Sequence, residues 1–125
     1  MHLPAADQKP LEWVGSAYKD LLAFPESVRR GVGYALGLAQ LGGKHPDSKP
    51  WHGEGPGVFE FVLAVEGNAF RSVYTVRFAK AIYVLHCFQK KSPTGIRTAK
   101  QDVELIHERL QRAAKHYEVN YGSQD

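Results

Sequence analysis

The chain has 125 residues and a mass of 14.0 kDa, which leaves room for one domain core. With 43% hydrophobic and 23% charged residues and a mean hydropathy of -0.37, it is composed like an ordinary soluble fold, excluding disordered and fibrous classes. The net charge of +3 is too small to name a partner, but it is unevenly placed: residues 1–68 carry six Lys/Arg against eight Asp/Glu, and residues 69–118 carry ten against four.

Residues 1–10 hold Pro4 and Pro10 and read as a flexible arm before a short strand near Leu11 to Val14. Ser16 is placed to cap a short helix through Phe24. Pro25 then suits the first turn of a second helix, whose Val28, Val32, Ala35, Leu36 and Ala39 recur at helical spacing until Gly42-Gly43 stops it. A helical hairpin is predicted. Lys44 to Gly57, with Pro46, Pro50 and Pro56, reads as a loop carrying Asp47, Lys49, His52 and Glu54 around Trp51.

From Val58 the period changes from helical to two. Val58 to Glu66, Ala69 to Phe78 and Ala81 to Lys90 are rich in β-branched and aromatic residues and predict an antiparallel meander. Turns at Gly67-Asn68 and Ala79-Lys80 would place Arg71 opposite Phe88, Val73 opposite His86, and Thr75 opposite both Glu60 and Val84. One face then shows Phe59, Phe61, Leu63, Val65, Phe70, Tyr74, Val76, Phe78, Tyr83, Leu85 and Cys87, fit to pack on the hairpin. The other carries Glu60, Arg71, Thr75, Arg77, His86, Phe88 and Lys90 among Val58, Val62, Val73, Ile82 and Val84, too apolar to be fully solvated.

A last helix is expected to cover part of that second face. Thr98-Ala99-Lys100-Gln101 has a capping-box pattern, and Val103, Ile106, Leu110, Ala113 and Tyr117 form one stripe, with a frayed tail over residues 119–125. The expectation is a single α+β domain: an N-terminal strand and helical hairpin packed on a three- to four-stranded antiparallel sheet, then a C-terminal helix.

Several familiar motifs fail. Gly37 and Gly42 are spaced like a phosphate loop, but Gly43 stands where lysine is needed and His45 follows Lys44. Six histidines show no paired ligand spacing and Cys87 stands alone, so neither a metal site nor a disulfide is expected, and Cys87 falls on the core face. Met1-His2-Leu3-Pro4 lacks a basic segment followed by an apolar one, and no apolar run approaches the roughly 20 residues a bilayer requires. A cytoplasmic protein without a membrane partner is the expectation.

What remains is a patch of Arg71, His86, Phe88 and Lys90. Cations beside an imidazole suit a phosphodiester, because they offset charge developing at phosphorus while the imidazole moves a proton, and Phe88 offers a stacking surface. The same residues admit a plainer reading, with Arg71 or Arg77 paired to Glu60 and His86 hydrogen-bonded under the last helix.

Phe70-Arg71-Ser72-Val73-Tyr74-Thr75-Val76, followed by Ala81-Ile82-Tyr83-Val84-Leu85-His86-Cys87-Phe88-Gln89-Lys90-Lys91, resembles the RelE/HigB superfamily of toxins, and most of all its phage-derived HigB-like branch. Gly95-Ile96-Arg97-Thr98 before the last helix and the upstream Lys49-Pro50-Trp51-His52-Gly53 turn extend the likeness over roughly residues 11–118. The resemblance implies the RelE-like fold and a type II toxin that cuts mRNA on the ribosome without cofactor or metal. It also implies a helix-turn-helix antitoxin as partner, with operator DNA reached only through that complex. By the same resemblance Arg71 and Lys91 stabilise charge, Lys90 and Lys49 are acid or base candidates, and Lys49 with the nearby His52 contacts RNA; the patch itself adds His86 as an acid or base candidate and Arg77 and Phe88 as RNA contacts. Ser92-Pro93-Thr94 replaces the catalytic Tyr or His that several relatives carry after the last strand. A gyrase-directed toxin similar to ParE, and an inactive relative serving as co-repressor, stay open as alternatives.

Overall fold

The computed structural model describes residues 8–90 and 99–122. Eight elements follow in order: β1 (Leu11–Trp13), α1 (Ala17–Leu22), α2 (Glu26–Gln40), β2 (Ser48–Pro50), β3 (Val58–Val65), β4 (Asn68–Thr75), β5 (Ile82–Lys90) and α3 (Lys100–Tyr121). The strands form one five-stranded sheet in the order β1-β5-β4-β3-β2, with β1 parallel to β5 and the other pairs antiparallel. The α+β architecture is as the patterning predicted, but the sheet has five strands instead of three or four and is mixed instead of antiparallel, because β1 and β2 flank the meander and β1 runs parallel to β5.

Both added strands are short and sit at the edges. Ser48-Lys49-Pro50 lies inside the segment read as a loop, yet it pairs with Phe61, Glu60 and Phe59 of β3. Three residues carry too little periodicity to be recognised, and a proline is tolerated there because an edge strand leaves one side unpaired. Lys9 and Pro10, read with the arm, are held to the fold. Lys9 exchanges hydrogen bonds with Gln40 at the end of α2, and the Pro10 carbonyl accepts from the Ile82 N–H. Residues 1–7 lie outside the described residues.

The helical hairpin forms as its spacing dictates, with Val28, Val32, Ala35, Leu36 and Ala39 all buried. Gly42 adopts φ +88 after the last turn of α2, and the Gly43 N–H closes back onto the Leu38 carbonyl. Ser16 occupies the N-cap position of α1, but its hydroxyl donates to the Asp20 carboxylate rather than accepting from the backbone.

The first strand hairpin turns at Glu66-Gly67, one position earlier than expected. Both residues have positive φ (51 and 82), the geometry of a two-residue turn that matches strand twist. Pairing therefore shifts by two, to Val58 with Thr75 and Glu60 with Val73, which preserves which side chains share a face. The second hairpin holds the expected register from Ala69/Lys90 to Val73/His86 and then breaks. Tyr74 pairs with Val84, so Leu85 is an extra residue, a β-bulge.

That bulge reverses the expected facing of the first half of β5. Ile82 and Val84 pack toward α1 and α2 with Leu36 and Phe61, whereas Tyr83 and Leu85 pack with Ile106, Ala113 and Tyr117 of α3. Phe78 joins the α3 side as well, stacking on Tyr117 at 4.9 Å. The sheet is thus buried on both faces, consistent with an unbroken run of buried residues from Ala81 to Phe88.

Ala99 is the N-cap residue of α3 and no side chain caps it, so the expected box does not start the helix; Thr98 lies outside the described residues. The helix continues through Tyr121, past the onset of fraying expected at residue 119. Tyr121 stacks on Tyr117 at 5.1 Å and its hydroxyl donates to Glu12 of β1, which ties down the last turn.

Arg109 joins the two halves of the molecule. It is 6% exposed, donating from Nη1 to the Leu85 carbonyl (2.9 Å) at the bulge and from Nη2 to Ser16 Oγ (3.1 Å). Gly15 lies against it with φ +56, and a Cβ there would stand 2.9 Å from Nη2 and 3.0 Å from Cζ. Because the left-handed conformation itself costs about 1–2 kcal/mol and Arg109 is held at both ends, Gly15→Ala is expected to destabilise the fold by at least that amount. A fall in the urea midpoint with an unchanged m value checks it.

Candidate functional site

Four adjacent strands each contribute one charged residue to the sheet face that α3 partly covers. Lys49 of β2 lies opposite Glu60 of β3, Arg71 of β4 is the diagonal neighbour of Glu60, and Lys90 ends β5 opposite Ala69. Arg71 Nη1 donates to Glu60 Oε1 at 2.5 Å, with both side chains half-buried at 15% and 17% exposure. The Arg71 Nε is enclosed and takes no partner among the described residues. Lys49 is exposed. Three cations against one carboxylate leave a positive surplus on a surface with a low-dielectric floor, which is where an oligoanion is held most effectively.

The sequence picked out Arg71 and Lys90 for this patch and placed Lys49 near it on the preceding loop; the sheet brings all three to one face. Glu60 entered the sequence reading only as a salt-bridge partner. Its nearness to Arg71 rests on the diagonal pairing of β3 and β4, so the alternation within Val58–Val65 was the one available signal. His52 is exposed in the turn after β2. Lys91 lies outside the described residues.

The remaining nominated residues are occupied with structural duties. Arg77 is exposed, but its guanidinium donates to the carbonyl oxygens of Glu54 and Pro56 and so closes the loop before β3. The Glu54 carboxylate in turn accepts from His107 Nδ1 at 2.9 Å, fastening that loop to α3. Phe88 is 9% exposed and its ring is stacked on His86 at 4.5 Å, so it offers no free face to a base.

His86 is 6% exposed and lies beneath α3. Its Nε2 is 2.7 Å from Asp102 Oδ1, and Arg109 Nη1 approaches Nδ1 at 3.5 Å. Those partners fit a neutral ring that donates from Nε2 and accepts at Nδ1. Burial holds its pKa below the ordinary 6.5, aided by the Arg109 charge, while the Asp102 bond and charge pull the other way. Both nitrogens are spent, so proton transfer to a ligand would require α3 to move.

A pH dependence follows. A histidine whose folded pKa is depressed binds fewer protons in the folded than in the unfolded chain, so stability declines as pH falls below 6.5 and is fully regained above it. The slope from this one group is at most about 1.4 kcal/mol per pH unit. Urea titrations from pH 7.5 to 5.5 are expected to show a steeper loss for the native protein than for His86→Gln, which keeps a donor to Asp102 but does not titrate.

Cys87 is 2% exposed, and burial pushes its thiol up to about 11, which makes it an inert core group. Among the described residues, no three His, Cys, Asp or Glu side chains converge as a metal site would require, and no helix is long and apolar enough to cross a membrane.

A mixed five-stranded sheet with a helical hairpin on one face and a C-terminal helix on the other is an α+β architecture of RelE-like fold, as a solved structure shows. The structure of an arginine-to-alanine double mutant of the E. coli toxin RelE in the free state matches with a TM-score of 0.54 at 18% identity, covering 84% of this chain and 97% of that one. The model of the family Phage derived protein Gp49-like (DUF891) matches residues 19–111, and the chain belongs to that family. Comparison with curated proteins finds no match.

Proposed function

We propose that the protein is the toxin of a type II toxin–antitoxin system and acts as a metal-independent endoribonuclease on mRNA, on the ribosome. The observation that carries this reading is the Lys49–Glu60–Arg71–Lys90 strip, which combines a carboxylate in contact with a guanidinium and two flanking ammonium groups. RNA supplies its own nucleophile. The 2′-oxygen attacks the adjacent phosphorus, the bond from phosphorus to the 5′-oxygen breaks, and a 2′,3′-cyclic phosphate and a 5′-hydroxyl result.

In this reading Glu60 accepts the 2′-hydroxyl proton, Arg71 neutralises the charge growing on the phosphoryl oxygens, and Lys90 with Lys91 holds the scissile phosphate and returns a proton to the leaving oxygen. Lys49 and His52 bind the flanking backbone. Gp49-like membership and the RelE-like fold support a toxin, and a toxin of that kind implies an antitoxin; a helix-turn-helix antitoxin that also carries the complex to operator DNA is the form proposed.

The test combines purified protein, translating ribosomes and a defined mRNA, with cuts mapped by primer extension and the upstream end assayed for cyclic phosphate. Cleavage confined to ribosome-engaged mRNA is expected. Intact mRNA alongside inhibited gyrase supercoiling would replace the proposal with a ParE-like action, and harmless expression without antitoxin would replace it with a co-repressor role.

A further inference from the structure

A cleft of about 150 Å³ lies away from the basic strip, between β1 and the C-terminal half of α3, bordered by Glu12, Trp13, Gly15, Tyr83, Arg112 and His116. β1 is an edge strand. On its paired side Pro10, Glu12 and Val14 face β5, since the Pro10 carbonyl accepts from Ile82 and the Val14 N–H donates to Val84. By strand alternation the backbone groups of Leu11 and Trp13 point to the open side, a short template for another strand.

The side chains around this edge differ by face. On the α3 side, the Tyr83 hydroxyl lies 2.7 Å from His116 Nδ1. Burial raises the Tyr83 pKa further above its ordinary value, with the Glu12 charge adding to it, so the phenol keeps its proton and donates to Nδ1, which leaves Nε2 of the exposed His116 as the ring's N–H donor. Arg112 is exposed and makes no hydrogen bond or ion pair among the described residues. The one carboxylate in the cleft, Glu12, already accepts from Tyr121, whose hydroxyl is pushed up to about 12 by burial and by Glu12. The opposite side is apolar, with Trp13 against the half-exposed Tyr18 at 4.9 Å.

We propose that this edge and cleft dock an extended acidic segment of a partner protein, which pairs with Leu11 and Trp13 and seats a carboxylate between Arg112 and His116. Backbone pairing supplies affinity, and the two donors over an aromatic wall select a carboxylate in one register. Alternate residues of the segment would face Trp13 and Tyr18, so an alternating acidic and apolar sequence is the complement. The surface is separate from the strip assigned to RNA, and the inference stands or falls independently of that assignment.

The experiment is a titration of ¹⁵N-labelled protein with the capped peptide acetyl-Val-Glu-Val-Glu-Val-amide and with its glutamine counterpart. Shifts of the Leu11, Glu12 and Trp13 amides, slowed exchange at Leu11 and Trp13, and at least tenfold weaker binding of the glutamine peptide are expected. Arg112→Glu, a change at an exposed position expected to leave the fold and its urea midpoint intact, should weaken binding of the acidic peptide at least tenfold. Equal affinity for both peptides, undiminished binding by Arg112→Glu, no shifts at Leu11–Trp13, or shifts at Lys49, Arg71 and Lys90 instead would overturn the proposal. So would concentration-dependent shifts at the same amides without peptide, which would assign the edge to a second copy of the chain.

Discussion

Arg71→Ala is expected to lower the rate of RNA cleavage by about a hundred- to a thousandfold, the usual effect of removing one preorganised charge stabiliser. The side chain is anchored by Glu60 and set on a strand flanked on both sides, so its guanidinium is positioned before substrate arrives. Truncation also leaves the half-buried Glu60 without its donor, at a cost of about 1–3 kcal/mol. Cleavage must therefore be read beside a urea midpoint, so that lost chemistry is not mistaken for lost fold. Arg71→Lys separates the two further, since it keeps the charge but not the fork that serves Glu60 and a phosphate together.

Glu60→Gln is the sharper partner experiment. Glutamine still offers an oxygen to Arg71, so the fold is retained, but the proton acceptor is gone, and a loss of about a hundred- to ten-thousandfold is expected if Glu60 is the base. A variant that cleaves at the native rate would confine Glu60 to positioning Arg71. His86→Gln, by contrast, should leave cleavage near native, because that ring is committed to Asp102 beneath α3.

The largest effect on stability is expected at Arg109. Arg109→Ala removes a buried side chain that satisfies the Leu85 carbonyl at the bulge and holds Ser16, and the anticipated cost is about 2–4 kcal/mol. For a domain whose total stability is on the order of 5–15 kcal/mol, that is a large fraction. Arg109→Met should cost less, about 1–2 kcal/mol. It fills most of the volume and relieves the burial of a charge, which already depresses the Arg109 pKa, but it leaves the carbonyl without a donor. Faster amide exchange at Leu85 and His86 would show that the bulge is the element released.

The helical hairpin could be read directly because five apolar residues in α2 repeat at one helical face, and each is buried. The three long strands were equally visible, since an eight- or nine-residue run of alternating β-branched and aromatic residues has no competing helical reading. β2 was not, because three residues that include a proline become a strand only through the neighbour they pair with. Arg71 and Lys90 were accessible to reasoning from pairing, whereas Glu60 needed the corrected hairpin register, and the occupation of His86 and Phe88 needed α3 in place.

The sequence by itself determined the class of fold, the order of its principal elements and the concentration of positive charge in the second half, because these follow from local periodicity and composition. Tertiary structure alone decided which way β5 faces. One extra residue at Leu85 inverts the alternation of Ile82, Tyr83, Val84 and Leu85, and such a bulge is selected by how two layers of helices pack rather than by any residue within the strand. The same packing turned His86 from a candidate proton carrier into a buried link between Asp102 and Arg109, and left the charged strip to Lys49, Glu60, Arg71 and Lys90.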